Sequence, residues 1–136
     1  MNGWLLDTNV VSELVRKRPD PRILERLRAL PADRTCTSAI CVMELRHGAA
    51  RLPHGDRLWE RLRVDVLGRL RVVPFGATDA MAAGDMLADL EQRGRSIGVE
   101  DVLIGATALA RDLTVVTRNV SHFDRIRNLR VESWWD

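Results

Sequence analysis

The run Gly3-Trp4-Leu5-Leu6-Asp7-Thr8-Asn9-Val10-Val11 changes character in its middle. Gly3 to Leu6 predicts a short buried strand that ends at Asp7. Thr8 to Arg16 then carries helical periodicity through Val11, Leu14 and Val15. A strand that passes through an acidic residue straight into a helix raises two questions: whether the alternation continues, and what stands at the other strand ends.

The alternation does continue. Arg18-Pro19-Asp20-Pro21 breaks the first helix, and Pro21 suits the first turn of a second one with Ile23, Leu24 and Leu27 as its apolar stripe. Pro31 to Arg34 reads as a turn, Thr35 to Thr37 as a short strand, and Ser38 as the N-cap of a helix running to about Ala50. Leu52 to Leu67 reads as one arginine-rich amphipathic helix with Leu58, Leu62 and Val66 on one face. Leu70 to Phe75 predicts the next strand. Thr78 or Asp79 should cap a long helix that stops near Gly94. Gly98 precedes a nearly all-apolar helix, Val99 to Ala110, followed by a buried strand at Thr114 to Thr117 and an edge strand at Arg130 to Glu132. Strands alternating with helices predict an α/β sandwich with a parallel sheet. With no repeat or linker, residues 1–136 read as a single domain.

Bulk properties agree. At 136 residues, 46% apolar and 29% charged, the chain is long enough for a real core and needs no staples. The longest apolar stretch, around Val102 to Ala110, is far short of the ~20 residues that span a bilayer. No basic leader precedes Leu5, so nothing marks export and the expected address is the cytoplasm. Cys36 and Cys41 lie five apart in an apolar stretch, which suits small core residues better than a zinc or redox pair. The formal charge is +2, and of the 21 basic residues only Lys17 is a lysine. Arginine suits phosphate, because its planar fork can donate two parallel hydrogen bonds.

Ligands in open α/β sheets bind beyond the C-terminal ends of the strands, so the polar residues there are the candidates. Asp7 ends the first strand, Glu44 lies inside the helix after the second, Asp101 opens the helix before the fourth, and Asn119 follows the fourth. Each has a structural reading as well. Asp7 reads equally as a helix N-cap, Asp101 as a favourable charge at the positive end of a helix dipole, and Glu44 as the partner of Arg46, Arg51 or another arginine. Glycine costs ~1 kcal/mol inside a helix, yet Glu44 has Gly48 and Asp101 has Gly105 four residues on. A missing side chain there would clear space for a ligand or for close packing. Three carboxylates on one site would repel unless a cation neutralised them, and an all-oxygen set suits Mg²⁺ or Mn²⁺. Such a site activates water and stabilises charge on a phosphoryl group, the chemistry of phosphodiester hydrolysis.

Four motifs stand in order: Leu5-Leu6-Asp7-Thr8-Asn9-Val10, then Val42-Met43-Glu44-Leu45 with Gly48, then Glu100-Asp101 ahead of Leu103-Ile104-Gly105-Ala106-Thr107-Ala108, then Val116-Thr117-Arg118-Asn119 with Phe123 and Trp134. In this order the chain resembles the PIN-domain ribonucleases. It is more closely similar to the VapC-type toxins of prokaryotic toxin–antitoxin pairs, including the FitB-like branch. The resemblance implies a three-layer α/β/α sandwich with a parallel sheet of about five strands. It implies a Mg²⁺- or Mn²⁺-dependent endoribonuclease that cleaves RNA with a metal-activated water, forms a homodimer and is neutralised by a small VapB-type antitoxin. Asp7, Glu44 and Asp101 match the acidic, metal-holding triad. Asn119 matches a fourth catalytic position where many members carry Asp, which leaves the occupancy of a second metal open. Thr8, Asn9 and Thr117 match supporting positions, and Asp124 is a nearby acid. Arg46 and Arg118 are candidate RNA contacts. His47, His54 and His122 form no constellation in the sequence and read as structural or solvent-exposed.

Two other folds with an early Asp fit less well. A haloacid-dehalogenase-like phosphatase wants a second Asp where this chain has Asn9, and a receiver domain wants a late lysine that is absent. The alternative that remains is a catalytically weak PIN scaffold that binds RNA or a protein.

Overall fold

A computed structural model describes residues 3–135. β1 (Gly3–Leu6) leads through Asp7 into α1 (Thr8–Leu14) and then α2 (Pro21–Ala29). A single 3₁₀ turn (Ala32–Arg34) precedes β2 (Thr35–Ser38), which is followed by α3 (Ala39–Ala50) and α4 (Asp56–Arg61). β3 (Arg71–Val73), α5 (Ala77–Gln92), α6 (Val99–Ala110), β4 (Leu113–Val116), α7 (Val120–Phe123) and β5 (Val131–Glu132) complete the order. The five strands pair in the order β3-β2-β1-β4-β5, all parallel.

Successive residues of a strand point to opposite faces of the sheet, and here both faces are covered. Leu5, Cys36 and Val115 pack under α5, α6 and α7 with Met86, Ile104, Phe123 and Ile126. Leu6 and Val116 pack on the other side with Val10, Val11, Ile23, Leu45, Leu62 and Trp134. The result is the expected three layers. Cys36 and Cys41 are buried and unpaired in the first of these cores. Among the described residues no helix is long and apolar enough to cross a membrane.

Two sequence expectations need correction. The stretch from Leu52 to Leu67 is not one helix. The chain turns through Pro53 and Gly55 before α4 starts, and a Cβ at Gly55 would sit 1.7 Å from the Ala49 carbonyl oxygen. Only glycine allows that approach. Past Arg61 the coil then widens into a π-helical segment, Leu62–Leu67. The cap of α5 is also different. Gly76 holds the N-cap position, and Asp79 reaches back from the first turn to accept its N–H at 2.7 Å. At the other end Gly94 does stop the helix, with φ +64° and the Arg95 N–H bonded back to Leu90 O at 2.8 Å.

Candidate active site

From β1 the chain winds outward through β2 and β3 on one side, then returns to β4 and β5 on the other. The seam between β1 and β4 is therefore the point where strand order reverses, and open parallel sheets bind ligands in the crevice beyond such a seam. A cleft of about 400 Å³ lies there, lined by Asp7, Glu44, Asp101 and Asn119 together.

Asp7 leaves β1 with its N–H bonded to Val116 O at 2.9 Å. One carboxylate oxygen accepts from the Thr8 N–H at 2.8 Å, and the other accepts from the Thr117 hydroxyl at 2.7 Å. The N-cap geometry and the cleft position thus coincide in one residue. Asp7 is 3% exposed. Burial pushes its pKa up to about 6, against the lowering effect of the Thr117 and Thr8 hydrogen bonds, and the charges of Asp101 and Glu44 add to the rise.

Glu44 reaches the cleft from α3, half-buried, and accepts from the Thr8 hydroxyl at 2.6 Å. Among the described residues no arginine pairs with it. The structure does not bring Arg46 to the cleft. Two residues apart on a helix, Arg46 and Glu44 do not face each other, and the Arg46 guanidinium lies over the Trp59 ring at 5.1 Å. The two helical glycines have different surroundings. A Cβ at Gly48 would meet nothing within 4 Å, beside a pocket that Glu44 also lines, whereas one at Gly105 would press on Ile126 Cδ1 at 2.5 Å. Gly48 clears space and Gly105 serves packing.

Asp101 sits in the first turn of α6, and its carboxylate lies 2.9 Å from His122 Nδ1. Asn119 follows β4, with its N–H donating to Thr117 Oγ1 at 2.9 Å and its side chain making no capping hydrogen bond. Asn9 accepts from the Arg118 N–H at 3.2 Å and so ties the first turn of α1 to the loop after β4. Arg118 lines the cleft with its guanidinium over Trp135 at 5.2 Å. Asp124 is not brought in: α7 is a single turn that directs His122 toward Asp101 and leaves Asp124 exposed at its end.

Residues 4–129 match the family model described as PIN domain. This chain belongs to the PIN-domain family. Its PIN domain is 39% identical over 125 residues to VapC ribonuclease Y4jK of Sinorhizobium fredii, covering 88% of this chain and 89% of that protein. It superposes on FitAcB from Neisseria gonorrhoeae with a TM-score of 0.88 at 34% identity, over 97% of this chain and 98% of that one. It also superposes on VapBC2 from Rickettsia felis, solved bound to a DNA fragment from their promoter, with a TM-score of 0.88 at 33% identity over 100% of both chains.

The PIN domain's cleft includes residues that the sequence did not single out. Ser12 and Glu13 stand on α1 a turn beyond Thr8 and Asn9, with Arg16 just past its end, so helical periodicity could have found the first two. Glu13 is buried, and it accepts from Arg16 at 3.2 Å and from the Asp20 N–H at 2.9 Å. Cys41, one turn before Glu44, has its sulfur within 4.8 Å of a carboxylate oxygen of Asp7 and of Glu44. Burial pushes its thiol pKa up, and the Asp7 charge pushes it further. His122 has no local signal at all, because its contact with Asp101 is made by the fold.

The donor set fits a hard divalent cation. Asp7 and Glu44 have no basic partner among the described residues, Arg16 is engaged with Glu13, and every donor oxygen belongs to a carboxylate, hydroxyl or amide. A cation would relieve both the mutual repulsion and the desolvation that raises the pKa of Asp7.

Proposed function

We propose that this PIN domain is a metal-dependent endoribonuclease and the toxin of a VapBC-type pair, acting in the cytoplasm as one domain. One observation carries the reading: carboxylates from three separate elements converge on the switch-point cleft with, among the described residues, no basic side chain paired to Asp7 or Glu44. Asp7, Glu44 and Asp101 would hold Mg²⁺ or Mn²⁺, and Asn119 would offer a neutral oxygen at the fourth position. The cation supplies Lewis-acid activation of water and neutralises charge on the scissile phosphate.

The protein's own contribution is orientation. Thr8 N–H and the Thr117 hydroxyl hold the two Asp7 oxygens in one rotamer, and the Thr8 hydroxyl fixes Glu44 through one oxygen, leaving the other available. Asn9 locks the start of α1, which carries Thr8, to the loop after β4, which carries Thr117. Arg118 and Arg16 stand at the cleft wall, where their charge favours a polyanionic strand over a neutral ligand. The relatives whose names or structures carry a Vap or Fit pair support an antitoxin partner, and we take the working form to be a homodimer in complex with it.

Incubation of labelled RNA with the purified protein tests the reading. Cleavage should require Mg²⁺ or Mn²⁺, stop with EDTA, and leave 5′-phosphate and 3′-hydroxyl ends. Products ending in 2′,3′-cyclic phosphate would overturn the water-attack chemistry. RNA binding without cleavage at any metal concentration would favour the scaffold alternative.

A further inference from the structure

Helices α5 and α6 begin alike in sequence but not in structure. Both have a glycine at the N-cap and an aspartate three residues later, Gly76-Ala77-Thr78-Asp79 and Gly98-Val99-Glu100-Asp101. In α5 the aspartate does what that position favours: Asp79 accepts the N–H of Gly76 at 2.7 Å and pairs with Arg111. In α6 the equivalent carboxylate leaves its own helix end without a side-chain cap and lines the cleft. Its hydrogen-bond partner among the described residues is His122 Nδ1 at 2.9 Å, on α7. An ionised carboxylate only accepts, so the imidazole Nδ1 carries the proton in this contact.

We infer that His122 is a positioning residue for the cation: its Nδ1–H turns the Asp101 carboxylate away from the capping geometry and leaves the second oxygen available to the metal. The inference rests on the reading of Asp101 as a cation ligand. The reason the fold needs such a donor follows from the α5 comparison. A carboxylate in the first helical turn gains from the backbone N–H groups beneath it, so a competing donor must hold it in the cleft. His122 arrives one turn beyond Asn119, so the element that opens at the fourth cleft position also orients the third carboxylate. Partners of this kind around metal ligands are worth about 10–100-fold in metal affinity.

Mn²⁺ titration of the RNA-free protein by calorimetry, in four proteins, tests this. His122→Ala should weaken Mn²⁺ binding about 10-fold or more, in line with the range above. Its metal-free melting temperature should barely move, since the side chain is 45% exposed. His122→Asn, whose amide N–H can occupy the place of Nδ1–H, should recover most of that affinity. In cleavage assays the His122→Ala loss should shrink as Mn²⁺ is raised to saturation. Parent-like Mn²⁺ affinity in His122→Ala would overturn the inference, as would His122→Asn behaving no better than His122→Ala. If His122→Ala proves too unstable to titrate, His122→Leu, which fills the space without an N–H donor, takes its place: a loss of about 10-fold supports the inference and parent-like affinity overturns it. Asp101→Asn separates the two levels of the argument. If that variant binds Mn²⁺ as the parent does, the site reading itself falls. If it loses the metal while His122→Ala keeps it, only the role of His122 falls.

Discussion

Asp7 carries an energetic conflict that metal-free protein should reveal through pH. Its carboxyl titrates near 6 when folded, above the ordinary 3.8, chiefly because it is buried. The folded state therefore holds a proton that the unfolded state has lost between those two values. This group contributes stability below pH 4 that is lost as pH rises through 6, a difference of about 3 kcal/mol. Asp7→Asn should abolish that part of the pH dependence and melt above the parent at pH 7. Urea unfolding of both proteins from pH 4 to 7 in EDTA checks it, and parallel curves would refute it. Mn²⁺ affinity should run the opposite way and weaken below pH 6, because the proton competes for the same oxygens. Glu44 gives a second test. Were it a residue paired to an arginine, Glu44→Gln would cost ~1–3 kcal/mol. As a member of a repulsive cluster whose one contact, from the Thr8 hydroxyl, an amide oxygen can keep, the variant should be neutral or slightly stabilised without metal yet lose most Mn²⁺ binding and cleavage. Asn119→Ala should lose less. A destabilised Glu44→Gln that still cleaves near the parent rate would end the assignment.

The helical elements separate what was legible in the sequence from what was not. Asp7, Glu44, Asp101 and Asn119 could be found because strand ends and helix openings are local patterns, and the sheet brings those positions to one end by topology. The loop at Pro53 and Gly55 and the widened coil after Arg61 were harder to read, because the apolar stripe of Leu58, Leu62 and Val66 persists across them. Asp79 shows its helix-start role within a window of sequence, whereas its pairing with Arg111 and the contact of His122 with Asp101 depend on partners far along the chain that no window carries. Arg46 and Asp124 lie close in sequence to Glu44 and Asn119, yet the fold sets one over Trp59 and leaves the other exposed at the end of α7. The paired glycines also divide, and that division can be measured. Gly48→Ala fills open space in a helix and should stabilise by up to ~1 kcal/mol. Gly105→Ala meets Ile126, Leu129 and Phe123 in the core, where overpacking costs ~1–3 kcal/mol and cancels or outweighs the same gain. Thermal melts should rank Gly48→Ala above Gly105→Ala, and the reverse order would contradict the packing described.

At the scale of the molecule, a cation that binds only the folded cleft should stabilise the fold by RT ln(1 + [M]/Kd), so that the melting temperature climbs with the logarithm of its concentration once that exceeds Kd. Melts at pH 7 in rising Mn²⁺, with EDTA as reference, read this directly, and a flat response would argue against a cation site. Light scattering should find a dimer at micromolar concentration, and expression of the chain without its antitoxin should arrest growth. The sheet order adds something about time. β4 is a near-central strand in space, beside β1, yet it is the last but one to be made. Until it is made, Asp7 has neither the Val116 carbonyl nor the Thr117 hydroxyl against which it is set, and Asn119 and His122 come later still. A nascent chain of this topology therefore carries its first two carboxylates through most of its own synthesis without the neighbours that complete the cleft. For the proposed toxin, the cleft would be assembled only when the polypeptide is nearly finished, and an antitoxin already present would have that interval in which to meet it.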